Sequence, residues 1–151
     1  MQIREDDLTG KQIIRLLQDH LDHMYEITPP ESVHALNVQA LRSPDITFWS
    51  AWEDDELLGC GALKELDSKS GEIKSMRTTE AHREKGVASR ILEHIIQDAE
   101  RRAYDRLYLE TGAMPELAAA RALYLRYGFE YRGPFAEYAD DPNSVLMTKQ
   151  L

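Results

Sequence analysis

The chain has 151 residues, 42% hydrophobic and 30% charged, which fits one folded domain and excludes both an extended disordered tract and two full domains. Its formal net charge of -9 argues against a general nucleic-acid surface, because phosphate backbones are held chiefly by clustered Lys and Arg; a local basic pocket is still allowed. No apolar stretch is long enough to cross a bilayer, and the polar start from Met1 to Asp7 lacks a signal-peptide segment, so the chain reads as cytoplasmic, without membrane or nucleic-acid partners.

Taken in chain order, a short opening strand precedes Ile13, Ile14, Leu16, Leu17, Leu21 and Met24, whose spacing marks one side of a helix that ends before Pro29-Pro30. On that helix His20 and His23 lie one turn apart beside Asp19 and Asp22. No third ligand accompanies them, and polar residues on an outer helix face account for the pattern, so no metal is assigned. A second helix is expected from about Ser32, as cap, to Leu41, where Ser43-Pro44-Asp45 interrupts it.

Thr47 to Trp52 and Leu57 to Leu63 read as strands joined by the hairpin connection Glu53-Asp54-Asp55-Glu56, and Glu72 to Thr78 reads as a third strand after the turn Ser68 to Gly71. The single cysteine, Cys60, has no disulfide partner and reads as a small buried hydrophobe. From Val87, the positions Ala88, Ile91, Leu92, Ile95, Ile96, Ala99 and Ala103 recur at helical spacing. Leu107-Tyr108-Leu109 makes a further strand, Leu117 to Tyr127 a helix closed by Gly128, and Ser144 to Met147 a last strand. The class is mixed α/β in a single domain.

The chemistry concentrates at Arg83-Glu84-Lys85-Gly86-Val87-Ala88, where a strand and short turn open the long helix. Unpaired amides and the helix dipole attract phosphate there, Gly86 permits close approach to the backbone, and Arg83 and Lys85 add positive charge. Neither G-x-G-x-x-G nor G-x-x-x-x-G-K-[ST] is present, so a different phosphate ligand is implied.

Arg83-x-x-Gly86-x-Ala88 resembles the R/Q-x-x-G-x-G/A pyrophosphate loop of the GNAT superfamily of N-acetyltransferases. The strand Glu72 to Thr78 and the helix Ala120-x-x-Leu123-Tyr124-x-x-x-Gly128-Phe129 are similar to the segments that flank that loop, in the same order and spacing. The likeness extends over nearly the whole chain, with its specific motifs between Glu72 and Phe129. It implies a mixed, mostly antiparallel sheet flanked by helices, acetyl-coenzyme A as acetyl donor, and transfer to an amine by direct attack. The cofactor would be held by Met76, Arg77 and Thr78 along its pantetheine arm and by Arg83, Glu84, Lys85, Gly86, Val87, Ala88 and Ser89 at its pyrophosphate.

Tyr124 matches the position of a tyrosine near the thioester sulfur, where it would act as general acid; packing between helix and sheet is the competing role. Two carboxylates, Glu72 and Glu110, are candidates for the base that deprotonates the amine. Many relatives carry Asn where this chain has Leu117, which turns attention to Thr111 and Gly112. The resemblance places the acceptor between the first two helices and a C-terminal loop, and so suggests Glu26, Glu31, His34, Thr111 and Tyr138 as substrate-binding residues. A small amine or amino acid is the expected acceptor, with protein amino groups, a non-catalytic acyl-coenzyme A sensor and a nucleotide-binding module as alternatives. A homodimer is compatible with the sequence.

Overall fold

In the computed structural model, which describes residues 1–136 and 138–151, seven strands form one sheet in the order β1-β2-β3-β4-β5-β7-β6. The strands are β1 (Gln2–Glu5), β2 (Ile46–Glu53), β3 (Glu56–Asp67), β4 (Ser70–Thr78), β5 (Arg106–Gly112), β6 (Glu130–Arg132) and β7 (Ser144–Gln150), and the helices are α1 (Lys11–Ile27), α2 (Val38–Leu41), α3 (Val87–Arg101) and α4 (Ala118–Arg126). Only β4 and β5 pair in parallel, as they must when a helix makes the crossover between them; the other neighbours are antiparallel. The mixed, mostly antiparallel sheet expected from the sequence is therefore present.

The two faces of β3 seed two cores. Leu58 and Leu63 join Ile91, Leu92, Ile95 and Ala99 of α3 and Leu123 and Tyr124 of α4, whereas Leu57, Cys60 and Ala62 join Ile13, Leu16 and Leu17 of α1 and Leu41 of α2. Helix α3 lies tightly on β3: a Cβ on Gly61 would meet Met76 Sδ at 2.6 Å and Ile91 Cγ2 at 2.8 Å. Cys60 is wholly buried and donates to the Ser75 carbonyl, and burial pushes its thiol up to about 12, so it is an inert core residue.

Two irregularities shape the middle of the sheet. Cys60 pairs with Arg77 but Ala62 pairs with Lys74, so β4 carries one extra residue, and Ser75 in that bulge has φ 55°. The β4–β5 ladder runs from Ser70–Arg106 to Ile73–Leu109 and stops, although β4 continues to Thr78 and β5 stays paired with β7 out to Gly112–Ser144. From Lys74 onward the two parallel strands thus part, and a cleft opens between them.

Both α3 and α4 end in the same device. In α4, Phe129 N–H donates to the Tyr124 carbonyl and Gly128 N–H to that of Leu125, with Gly128 at φ 89°, and the Phe129 and Tyr124 rings pack edge to face. In α3 the matching bonds run from Tyr104 to Ala99 and from Ala103 to Glu100, but the left-handed position is Ala103 at φ 61°. A non-glycine residue there costs about 1 kcal/mol. Ala103→Gly is expected to raise the midpoint of thermal unfolding by about 2–4 °C for a domain of this size.

The helix expected over Ser32–Leu41 is not continuous. Pro30–Ser32 makes a single 3-10 turn, residues 33–37 are irregular, and only Val38–Leu41 is helical. Asn37, not Ser32, caps it by accepting from Ala40 N–H at 2.8 Å. Ser32 instead donates its hydroxyl to Asp141, which ties this segment to the C-terminal loop. Strand β6 has no counterpart among the elements expected from the sequence; it is exposed along its length, and its pairing with β7 is what orders it.

Candidate active site

The N-terminus of α3 faces open space. Gly86 is its N-cap residue at φ 82° and ψ 11°, no side chain caps the first turn, and nothing lies within 4 Å of where a Gly86 Cβ would point. Among the described residues the amides from Glu84 to Ser89 have no acceptor; the first bond of the helix runs from Arg90 to Gly86. Glu84, at φ 64°, helps turn these amides outward, and Arg83 and Lys85 flank them. The arrangement suits a diphosphate. Met76, Arg77 and Thr78 lie on the β4 edge that leads from this mouth into the cleft.

Strand alternation sets what faces the cleft on the α1 side. Lys74 pairs with Ala62 and Glu72 with Lys64, so both share the α1 face, and the parallel pairing of Glu72 with Tyr108 puts Tyr108 and Glu110 on the same face. A cavity there is lined by His20, Glu72, Lys74, Ser75, Met76, Glu110, Thr111, Leu117, Tyr124, Tyr138 and, from the irregular 33–37 segment, His34. The structure thus gathers all three catalytic candidates and His34, Thr111 and Tyr138 around one space. It does not bring Glu26 or Glu31 there: both are exposed and outside the cavity wall.

The polar groups of the cavity are unequal. Glu72 is only 3% exposed, and its Oε2 accepts from Lys74 Nζ at 3.0 Å and from the Tyr138 hydroxyl at 2.6 Å. Lys74 also lies 3.2 Å from the Tyr138 oxygen, so the three close a triangle. Burial, then the neighbouring Glu72 carboxylate, holds the Tyr138 hydroxyl well above the usual phenol range, so it stays protonated and donates. His34 meets the Tyr138 ring edge-on at 5.0 Å, which makes these two an aromatic wall.

Glu110 behaves differently. Burial raises its carboxyl to about 7; Lys74 opposes the rise, and Glu72 and Asp141 add to it. Near neutral pH it therefore divides between proton acceptor and proton donor. Tyr124 sits across the cavity, fixed by the Phe129 contact and by its carbonyl in the α4 cap, and burial followed by the Glu110 charge pushes its hydroxyl above the usual range. Leu117 replaces a polar group with an apolar wall beside Gly112.

Sequence reasoning missed Lys74, His20 and Arg121. The Glu72-x-Lys74 alternation could have exposed the first. His20 continues the Ile13, Leu16, Leu17 stripe toward Met24 and faces the sheet, not solvent, which corrects its reading as an outer-face residue. Arg121 donates to the carbonyls of Gly112 and Met114 at 2.7 and 2.9 Å and ties α4 to the end of β5; no local pattern announces such a contact.

The acetyltransferase (GNAT) family pattern matches residues 11–129. The chain is 60% identical to an uncharacterized N-acetyltransferase, YsnE, of Bacillus subtilis over 100% of both chains, and 49% identical to an uncharacterized N-acetyltransferase, YedL, of Escherichia coli over 99% of this chain and 94% of that one. Its fold is similar to that of a Bacillus subtilis acetyltransferase solved in complex with CoA, with a TM-score of 0.70 and 18% identity over 99% of this chain and 98% of the other. Among the described residues no helix is long and apolar enough to cross a membrane.

Proposed function

Since the chain belongs to the acetyltransferase (GNAT) family and is an acetyl-CoA-dependent N-acetyltransferase, we propose that it acetylates the primary amine of a small molecule or amino acid, with Glu110 as general base. The observation that carries this reading is one carboxyl poised near pH 7 in the cavity beside the parting of β4 and β5. The diphosphate rests on the amides of Glu84 to Ser89, the pantetheine arm follows Met76 to Thr78, and the thioester then enters the cleft beside Tyr124.

Glu110 takes the ammonium proton, the nitrogen lone pair forms the new C–N bond at the thioester carbonyl, the C–S bond breaks with its electron pair left on sulfur, and the second proton that the acylated nitrogen must shed passes to that thiolate to give the free thiol and the neutral amide. Tyr124 keeps its proton and donates a hydrogen bond to that sulfur; complete transfer from so weak an acid to a thiolate would be uphill. Glu72, already engaged by Lys74 and Tyr138, is better suited to hold those two side chains than to collect a proton. The Ser32–Asp141 link and the His34–Tyr138 wall narrow access, which favours a small acceptor over a protein amino group.

Thiol release from acetyl-CoA, measured over a panel of small amines with the product identified by mass, tests the reading. Turnover is expected for at least one of them. Tyr124→Phe keeps the ring packing and is expected to lower kcat by about 10²–10³-fold with little change in the KM for acetyl-CoA, as loss of one donor to a developing charge does. An unchanged kcat removes Tyr124 from the chemistry. Tight acetyl-CoA binding with no turnover on any amine supports the sensor instead.

A further inference from the structure

Three buried polar atoms have no partner among the described residues: His20 Nδ1 on α1 and Ser75 Oγ in the β4 bulge, both in the cavity wall, and Arg77 Nε two residues further along β4, outside that wall. Buried polar atoms are almost always hydrogen-bonded, because an unpaired one costs about 1–3 kcal/mol. Orphans gathered from two separate elements call for a partner from outside the chain, a water, an ion or a ligand. His20 and Ser75 both line the acceptor cavity. Arg77, paired with Cys60, shares the α1 face with them, and its charge acts on His20.

The main charge felt at His20 comes from Arg77. Burial, then Arg77, draws His20 down to about 4, so at neutral pH its ring is uncharged and supplies only a hydrogen-bonding nitrogen. The Arg77 guanidinium is half-buried and forms no ion pair with any described residue, and burial followed by the like charge of Arg83 lowers its hold on its proton, with Asp19 and Glu80 only partly offsetting this. It is a cation short of counter-charge. The cavity wall holds Glu110 and the paired Glu72 and Lys74, so above pH 7 Glu110 contributes a negative charge within it, while Arg77 supplies a positive one from outside the wall that is felt at His20.

The geometry points to a carboxylate subsite formed by His20, Ser75 and Arg77, and so to a free α-amino acid as the acceptor, its amine toward Glu110 and its carboxylate toward Arg77. This rests on the reading of the cavity as the acceptor site of an N-acetyltransferase. The acetyl-CoA phosphates are not the missing partner of His20 and Ser75, since the open amides at the mouth of α3 take the diphosphate and these two side chains line the α1 side. With a carboxylate in place, Arg77 gains a charge-assisted partner and the two neutral orphans gain an acceptor.

The test uses matched acceptors under saturating acetyl-CoA: L-phenylalanine, L-phenylalaninamide and phenethylamine, with the corresponding L-leucine set. Aromatic and aliphatic members are paired because His34 and Tyr138 form the wall. The free amino acid of at least one set is expected to exceed its amide and its decarboxylated amine by about 100-fold or more in kcat/KM, as a site built around a polar group rejects analogues that lack it. The amide is the more reactive amine, so such a preference cannot come from nucleophilicity. In Arg77→Met the preference should fall to within about threefold, with Arg77→Lys restoring part of it. Equal use of all three members of both sets, or a preference that survives Arg77→Met, overturns the subsite. Calorimetric titration of the CoA-bound protein with 3-phenylpropionate separates this from failure of the transfer chemistry: Arg77-dependent binding upholds the subsite even with no turnover, and absence of binding in the parent overturns it.

Discussion

Gly86→Glu is expected to weaken acetyl-CoA binding by at least about 100-fold while leaving a folded protein, because it sets a carboxylate against the diphosphate at a helix N-terminus. The open space ahead of Gly86 means that the new side chain meets no protein atom within 4 Å of its Cβ, so packing is not disturbed. The residue does sit at φ 82°, where a side chain costs about 1–2 kcal/mol. A drop of about 2–8 °C in unfolding temperature is the corresponding expectation. Gly86→Asn provides the control, since asparagine tolerates the left-handed region and carries no charge. It should lose less than about tenfold in affinity; equal losses in both variants would assign the effect to strain and not to the phosphate site.

Glu110→Gln should lower kcat/KM by about 10²–10⁴-fold, the usual worth of a positioned base. In the parent, activity requires the ionised carboxyl, so kcat/KM should fall as pH drops through about 7, and the variant should lose that limb. Stability moves the other way. Because the folded-state value, about 7, lies above the ordinary 4.5, the folded chain holds its proton more tightly than the unfolded one, and stability is lost as pH rises between these values. Burying the charge costs about 3 kcal/mol above pH 7, so Glu110→Gln should unfold at a temperature no lower than the parent at pH 8. Lost activity with retained stability is the signature of a base; a pH profile unchanged by the substitution would return the role to Glu72.

The parts of the fold and site that depend on local pattern are legible in the sequence itself. Six apolar positions from Ala88 to Ala99 at helical spacing place α3, whose end at Arg101 leaves the seventh, Ala103, in the cap; Arg83-x-x-Gly86-x-Ala88 places the open amides at its start, and Gly128-Phe129 places the cap that orients Tyr124. What escapes depends on distant contacts. Nothing near Ser32 announces that Asp141, 109 residues later, takes the hydroxyl that was expected to cap a helix. Ser75 has no sequence signal for its left-handed backbone, which the mismatch between β3 and β4 imposes. The choice between Glu72 and Glu110 also lies outside local pattern, since it turns on Lys74 and Tyr138 reaching the one and burial acting on the other.

In the proposed mechanism the exposed amides at the mouth of α3 hold the diphosphate and so aim the thioester between Tyr124 and Glu110. A crystal structure with acetyl-CoA tests it most directly. Phosphate oxygens are expected within about 3.2 Å of amide nitrogens between Glu84 and Ser89, with the sulfur in the cleft beside the Tyr124 hydroxyl. A diphosphate bound elsewhere, or a thioester turned away from Glu110, would contradict it.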